Sequence, residues 1–283
     1  TRIGDAPVIT QPSTTPKVEK RDPALALRHI SRPCIIALGD SSVFGVGDHG
    51  DAIPSVGAGW AGRLAHDLTA GSFINVAKNG ARARHITQHQ LSAAHAFRPD
   101  LALVCIGTND VLRGDFSPEE IKDSLITVIE TLSENNAVII LLGLPDPIST
   151  APGPLALRKI LSARVTLINE IYIELSEREN VILVPTWDSK IAHERRMWHV
   201  DRMHPSAIGH QLIADLVRRK LALPRRSAKK LSTSINMSKK FELYWLITNG
   251  AKWFAKRSVD LVPALIWLMV SENIRASKAR RSR

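Results

Sequence analysis

Cys34-Ile35-Ile36-Ala37-Leu38-Gly39-Asp40-Ser41 is the stretch that decides the fold: five apolar residues running into a glycine and two turn-forming polar residues. A short unbroken apolar run closed by turn residues is the pattern of a strand buried on both faces, as in a parallel sheet. The pattern recurs. Phe73-Ile74-Asn75-Val76-Ala77 leads into Asn79-Gly80-Ala81, and Leu101-Ala102-Leu103-Val104-Cys105-Ile106 leads into Gly107-Thr108-Asn109-Asp110. In an open α/β sheet these turns lie at the carboxyl edge, where ligands bind. A further run, Asp201-Arg202-Met203-His204-Pro205, opens a helix-like stretch. A hydroxyl, an amide and a carboxylate-flanked imidazole, in that order along the chain, point to an acyl-transfer site.

Working outward, strands are expected over residues 34–38, 72–77, 100–107, 137–144 and 181–186, with helical patterns between them. The clearest helix starts at Ser117-Pro118-Glu119-Glu120, with a serine cap, proline in the first turn and Ile121, Leu125, Val128, Ile129 and Leu132 on one face. A long helix is expected from about Leu155 to Glu177. Strands alternating with helices predict an α/β fold: a parallel five-stranded sheet with helices on both faces. At 283 residues, one such domain plus extensions fits better than two domains. The division expected is a flexible lead-in over residues 1–33, rich in Pro, Thr and charge, a domain over 34–223, and a basic extension over 224–283.

The phrases Gly39-Asp40-Ser41-Ser42-Val43-Phe44-Gly45 and His199-Val200-Asp201-Arg202-Met203-His204-Pro205-Ser206 resemble those of the SGNH hydrolase (GDSL esterase/lipase) superfamily, in its actinobacterial-type branch. The resemblance covers roughly residues 33 to 222, with the motifs in the family's order. It implies a flavodoxin-like three-layer α/β/α fold and a serine-dependent ester hydrolase. The matching positions are Ser41 as nucleophile, His204 as base and Asp201 as its orienter, with Ser41, Gly80 and Asn109 forming the oxyanion hole. Ser42 stands where the family pattern has leucine, which leaves a second hydroxyl beside the proposed nucleophile. An acyltransferase or thioesterase would use the same site, and a non-enzymatic adaptor keeping the fold is the rival from another class.

These residue types suit that chemistry. A serine hydroxyl attacks only when a base takes its proton, and imidazole titrates in the useful range. An aspartate three residues earlier reaches the far ring nitrogen and fixes the tautomer. Donors aimed at the carbonyl oxygen stabilise the charge it gathers, and glycine at position 80 admits an unusual backbone angle. Asp40 and Asp110 are expected to cap loops. Arg82 and Arg84 either steer an anionic substrate or cover the surface. Trp198 and Met203 either line an acyl pocket or pack. His85 and His89 have the i, i+4 spacing of a metal pair, but a solvated helix face is the plainer reading. No metal or cofactor is expected.

Cys34 and Cys105 fall in the first and third strands; if both strands end together, the thiols lie about 10 Å apart along the axis, too far for a disulfide. The charge is uneven. Residues 1–224 carry 24 Lys+Arg against 24 Asp+Glu, and residues 225–283 carry 14 against 3, so the net +11 belongs to the extension. That extension also holds Trp245, Trp253 and Trp267, with Leu243, Ile247, Phe254, Leu261, Leu265 and Leu268 at helical spacing. Its longest apolar run, Leu261 to Val270, would reach about 15 Å as a helix, half a bilayer core. Tryptophans flanked by lysine and arginine favour peripheral contact with an anionic membrane over docking on the body, and no nucleic acid is expected. The partners read from the sequence are therefore a small-molecule or lipid ester and a membrane surface. The expected compartment is the cytoplasm, or the exterior if a signal peptide has been removed.

Overall fold

A computed structural model describes residues 22–48, 59–146, 155–190, 194–229 and 231–233, together with residues 263, 266, 267, 270 and 271. Five strands, β1 (Cys34–Gly39), β2 (Ser72–Asn75), β3 (Leu101–Cys105), β4 (Val138–Leu142) and β5 (Val181–Val184), form one sheet in the order β2-β1-β3-β4-β5. Every pairing is parallel. Ile35, Ile36, Ala37 and Leu38, all of β3 and nearly all of β4 are sealed from solvent, which is why these strands read as continuous apolar runs. Burying each such Ile or Leu side chain stabilises the fold by about 1.5–3 kcal/mol.

The helices are α1 (Ala24–Arg28), α2 (Ser41–Phe44), α3 (Gly59–Asp67), α4 (Ala83–His89), α5 (Leu91–Phe97), α6 (Thr108–Val111), α7 (Pro118–Ser133), α8 (Leu155–Leu175) and α9 (Ala207–Lys220). Helices α3 and α9 pack on each other, and α4, α5 and α8 pack against α7. The expected start of α7 is present: Ser117 accepts the Glu120 N–H at 3.1 Å, and all five residues of the apolar face are buried. This is the expected flavodoxin-like sandwich. The strand order reverses between β1 and β3, so a crevice opens between the loops that follow them.

Apart from strand ends that move by one or two residues, two boundaries and one register differ from the sequence reading. Residues 22–33 belong to the body: α1 buries Ala24 and Leu27, a pair too short to register as a period. The body also continues past residue 223. Arg225 pairs with the buried Asp67, Arg226 Nη1 donates to the carbonyls of Ile30 and Ser31, and Leu231 is buried. The shift to a basic composition at residue 224 therefore marks a change of charge, while packing runs on to about residue 233. The third difference is register. Gly39 faces Cys105, so Cys34 lies five residues along from the thiol's partner, about 16 Å rather than 10. Both cysteines are free.

Residues 1–21 and most of the extension, including Trp245 and Trp253, lie outside the described residues. Ile266, Trp267 and Val270 are exposed and helical. Among the described residues no helix is long and apolar enough to cross a membrane.

Candidate active site

β1 ends at Gly39, where a Cβ would run into the Cys105 carbonyl and the Val43 side chain, so only glycine lets β3 and the following helix close on this point. The chain then turns into α2 with Asp40 as cap, its Oδ1 accepting the Ser42 N–H at 2.9 Å. The same oxygen accepts the Ser42 hydroxyl at 2.8 Å. The second hydroxyl is thus turned inward and engaged, while Ser41 faces the crevice. Asp40 is buried, which pushes its carboxyl up, and the bonds from Ser42 oppose that. The expected capping role of Asp40 is what the structure shows.

Ser41 Oγ lies 2.8 Å from His204 Nε2, and His204 Nδ1 lies 2.9 Å from Asp201 Oδ2. The two ring nitrogens therefore bridge a hydroxyl and a carboxylate, with Nδ1–H donating to Asp201 and Nε2 open to the serine proton. The turn that carries them is closed from within: the His199 N–H donates to the His204 carbonyl at 2.8 Å, and the Ser206 N–H donates to the Met197 carbonyl at 2.8 Å. Trp198 and Pro205 form an isolated bridge across its base, and Ser206 caps α9. Burial by itself pushes the Asp201 carboxyl up. The His199 ring 3.2 Å away, the hydrogen bond with His204 and the charge of His204 overcome this and hold it well below the usual carboxylate range.

Asn109 sits in the short helix after β3, two residues beyond Gly107. Its Nδ2 donates to the Ala81 carbonyl at 3.1 Å and makes a long 3.4 Å contact with Asp40 Oδ2. The turn that holds Gly80 (φ 76°) closes through Ala81 N–H to the Lys78 carbonyl and is tied to the end of β1 by Lys78 N–H to the Gly39 carbonyl. Ser41, Gly80 and Asn109 are thereby brought to one edge. Asp110 accepts Arg82 Nε at 3.0 Å and the Ala83 N–H at 3.1 Å, capping α4 as expected.

The remaining candidates fall to structural roles. Arg82 is bound by Asp110 and Asp115, and Arg84 by Glu120 and Asp115, so neither cation is left to steer an anion. His85 accepts the Arg82 N–H, its ring centroid is 6.3 Å from that of His89, and no metal-binding cluster of three or more occurs among the described residues. Trp198 is buried in the core. Several residues that matter here were not singled out from the sequence. Gln90 pairs with both backbone groups of Gly39 at 2.9 Å, and Tyr172 does the same for Ile106 at 2.8 Å. His210 joins the Trp60 N–H to the Val46 carbonyl, and His199 lies against Asp201. No local signal marks them, since each partner except that of His199 is far off in the chain.

A hydroxyl, an imidazole and a carboxylate in contact thus meet at the switch point of a flavodoxin-like sheet. The chain belongs to the GDSL-like lipase/acylhydrolase family, whose sequence model matches residues 37–212. Solved structures with the same fold include a lipase from a goat rumen metagenome, 18% identical over 66% of this chain and 96% of that one, TM-score 0.54. An acetylxylan esterase from Geobacillus stearothermophilus is 19% identical over 69% and 96%, TM-score 0.52. A hydrolase from the metagenome of Lake Arreo, Spain, is 21% identical over 66% and 94%, TM-score 0.52. Comparison with curated protein sequences finds no match. The protein is a carboxylic ester hydrolase of this family.

Proposed function

We propose that the protein cleaves a neutral carboxylic ester through a covalent acyl-enzyme on Ser41. The observation that carries this reading is the continuous pair of contacts, 2.8 Å from Ser41 to His204 and 2.9 Å from His204 to Asp201. As Ser41 Oγ bonds to the carbonyl carbon, its proton passes to His204 Nε2, and Asp201 stabilises the imidazolium. The carbonyl oxygen becomes an oxyanion facing the Ser41 and Gly80 amides and Asn109 Nδ2, whose 3.4 Å bond to Asp40 is the longer of its two and the one the oxyanion would displace. Collapse expels the alcohol, which takes the proton from His204. Water then attacks the acyl-enzyme with His204 as base, releasing the acid and restoring Ser41. The pairing of Arg82 and Arg84 favours an uncharged substrate.

A fluorophosphonate tests the nucleophile. Labelling is expected on Ser41, lost in Ser41→Ala and kept in Ser42→Ala; the reverse pattern would sink the assignment. Nitrophenyl esters and thioesters of graded acyl length, with and without an added alcohol acceptor, separate hydrolase from thioesterase and acyltransferase. We also propose that the basic extension makes peripheral contact with anionic membranes, supported by the 10 Lys+Arg against 3 Asp+Glu of residues 234–283 and by its tryptophans. A chain ending at Thr233, which keeps the packed residues 225–233, should lose salt-sensitive binding to phosphatidylserine vesicles yet hydrolyse a soluble ester at the full rate. Equal vesicle binding by both chains would remove this part of the reading.

A further inference from the structure

Asp201 serves more than the His204 ring. Its Oδ1 accepts the backbone N–H groups of Met203 at 2.9 Å and His204 at 3.1 Å. Its Oδ2 lies 2.9 Å from His204 Nδ1 and 3.2 Å from the Nδ1 of a second imidazole, His199. The His199 side chain is only 3% exposed. Its position is set by the turn itself: its N–H donates to the His204 carbonyl, and its carbonyl accepts the Arg202 N–H at 3.0 Å and Arg195 Nη1 at 3.3 Å. One partly buried carboxylate oxygen thus faces two rings, and it has two lone pairs with which to accept both.

We propose that His199 is a positioning residue for the acyl transfer, its Nδ1–H holding Asp201 Oδ2 against His204 so that Nε2 stays aimed at Ser41. The inference rests on the reading of Ser41 as nucleophile. Rotation about Cβ–Cγ moves both carboxylate oxygens, so the two main-chain donors on Oδ1 already restrain it; what they leave is the small rocking that those hydrogen bonds tolerate, which shifts Oδ2 relative to the His204 ring. A donor on the far side of Oδ2 removes that freedom. Small displacements at a reacting group are costly because the reactive geometry is narrow. The two rings also keep the carboxylate ionised in a buried setting, where it would otherwise be driven toward its neutral form.

The test measures kcat and KM on a soluble nitrophenyl ester, together with the rate at which a fluorophosphonate labels Ser41. Outer partners that orient reacting groups in metal sites are worth on the order of tenfold, and His199→Leu is expected to slow both reactions by about that factor with KM nearly unchanged. His199→Asn, which offers an amide N–H close to where Nδ1 stands, should recover most of the loss. In an Asp201→Asn background, His199→Leu should cost almost nothing further, because it acts through that carboxylate. Wild-type rates in His199→Leu, an Asn variant as slow as the Leu variant, or fully additive losses would each overturn the proposal. Should His199→Leu fail to fold, His199→Asn and His199→Gln decide it: Gln places its N–H nearer the Nε2 position and should be slow where Asn is fast, and equal rates refute the role. A wild type that takes no label at Ser41 instead defeats the reading on which this rests.

Discussion

Ser41, Gly80 and Asn109 stand just past the carboxyl ends of three adjacent strands, whereas Asp201 and His204 stand on one tight turn between β5 and α9. The first group is placed by register: Cys34 faces Ser72 and Gly39 faces Cys105, and the loops follow. The second is placed by contacts made within Met197–Ser206. A residue of the first kind shares its hydrogen bonds with the sheet, so disturbing it disturbs folding and chemistry together. A residue of the second kind sits on a unit that is already formed, so its loss is felt in the chemistry alone. Long-range and short-range contacts thus divide the site into a part coupled to stability and a part that is not.

The sharpest separation should come from His204→Ala. Loss of the proposed base is expected to lower kcat by about 10⁴-fold or more, while the thermal midpoint stays close to that of the wild type. A large drop in the midpoint would break the comparison by making the turn part of the folding core. Next in size is Asn109→Ala, expected to lower kcat by roughly a hundredfold or more with KM little changed, as for loss of an oxyanion donor. It should also cost some stability, since its amide ties the Ala81 carbonyl to the crevice. If KM alone rises, Asn109 binds substrate and has no special role in the transition state.

Gly39→Ala tests the strand-end group at its tightest point. The added methyl meets the Cys105 carbonyl and Val43, and forced overpacking of this kind costs about 1–3 kcal/mol. Urea unfolding should show that loss, with the activity falling in step; a stable but inactive variant would contradict the coupling. The effect that vanishes near neutral pH concerns His210, which links the loop after Ser41 to α3 and α9. Burial lowers its pKa from 6.5 to about 4, so the unfolded chain binds a proton that the folded one refuses between those values. Stability from this group is complete above pH 6.5 and is lost as pH falls, by about 1 kcal/mol at pH 5.5 and about 3 at pH 4. Urea midpoints across this range should be flatter in His210→Gln than in the wild type. An unchanged slope would assign the acid sensitivity to other groups.

Much of this was legible in the chain. Unbroken apolar runs located four strands, a run interrupted by Asn75 located β2, and the serine cap with its five-residue apolar face located α7. Aspartate and histidine three apart, followed by proline, marked the turn that carries them. Each is a local pattern, repeated within a few residues and read without knowing what lies across the fold. Gln90, Tyr172 and His210 were not legible, because their partners are 51, 66 and 164 residues away. A buried polar side chain is selected by whatever main-chain group tertiary packing leaves unsatisfied beside it. His199 was quoted within a motif without a role, since only the closed turn brings its ring against Asp201. The ends of the domain are hidden from composition for a related reason: composition changes at residue 224, but Arg225 and Arg226 still find Asp67 and the carbonyls of Ile30 and Ser31.

By itself, then, the sequence determined which segments become strands and helices, which residues end them, and that a serine, an asparagine and an Asp-x-x-His unit lie at those ends. These follow from the spacing of apolar side chains and from the short reach of caps and turns. Only the tertiary structure decided that Gly39 lies opposite Cys105, that Ser42 turns inward to Asp40, and that Ser41 and His204, 163 residues apart, come within 2.8 Å. The physical reason is that register and side-chain direction are fixed by packing the whole sheet between its helices, and no local pattern encodes a contact whose two halves are joined only when that packing is complete.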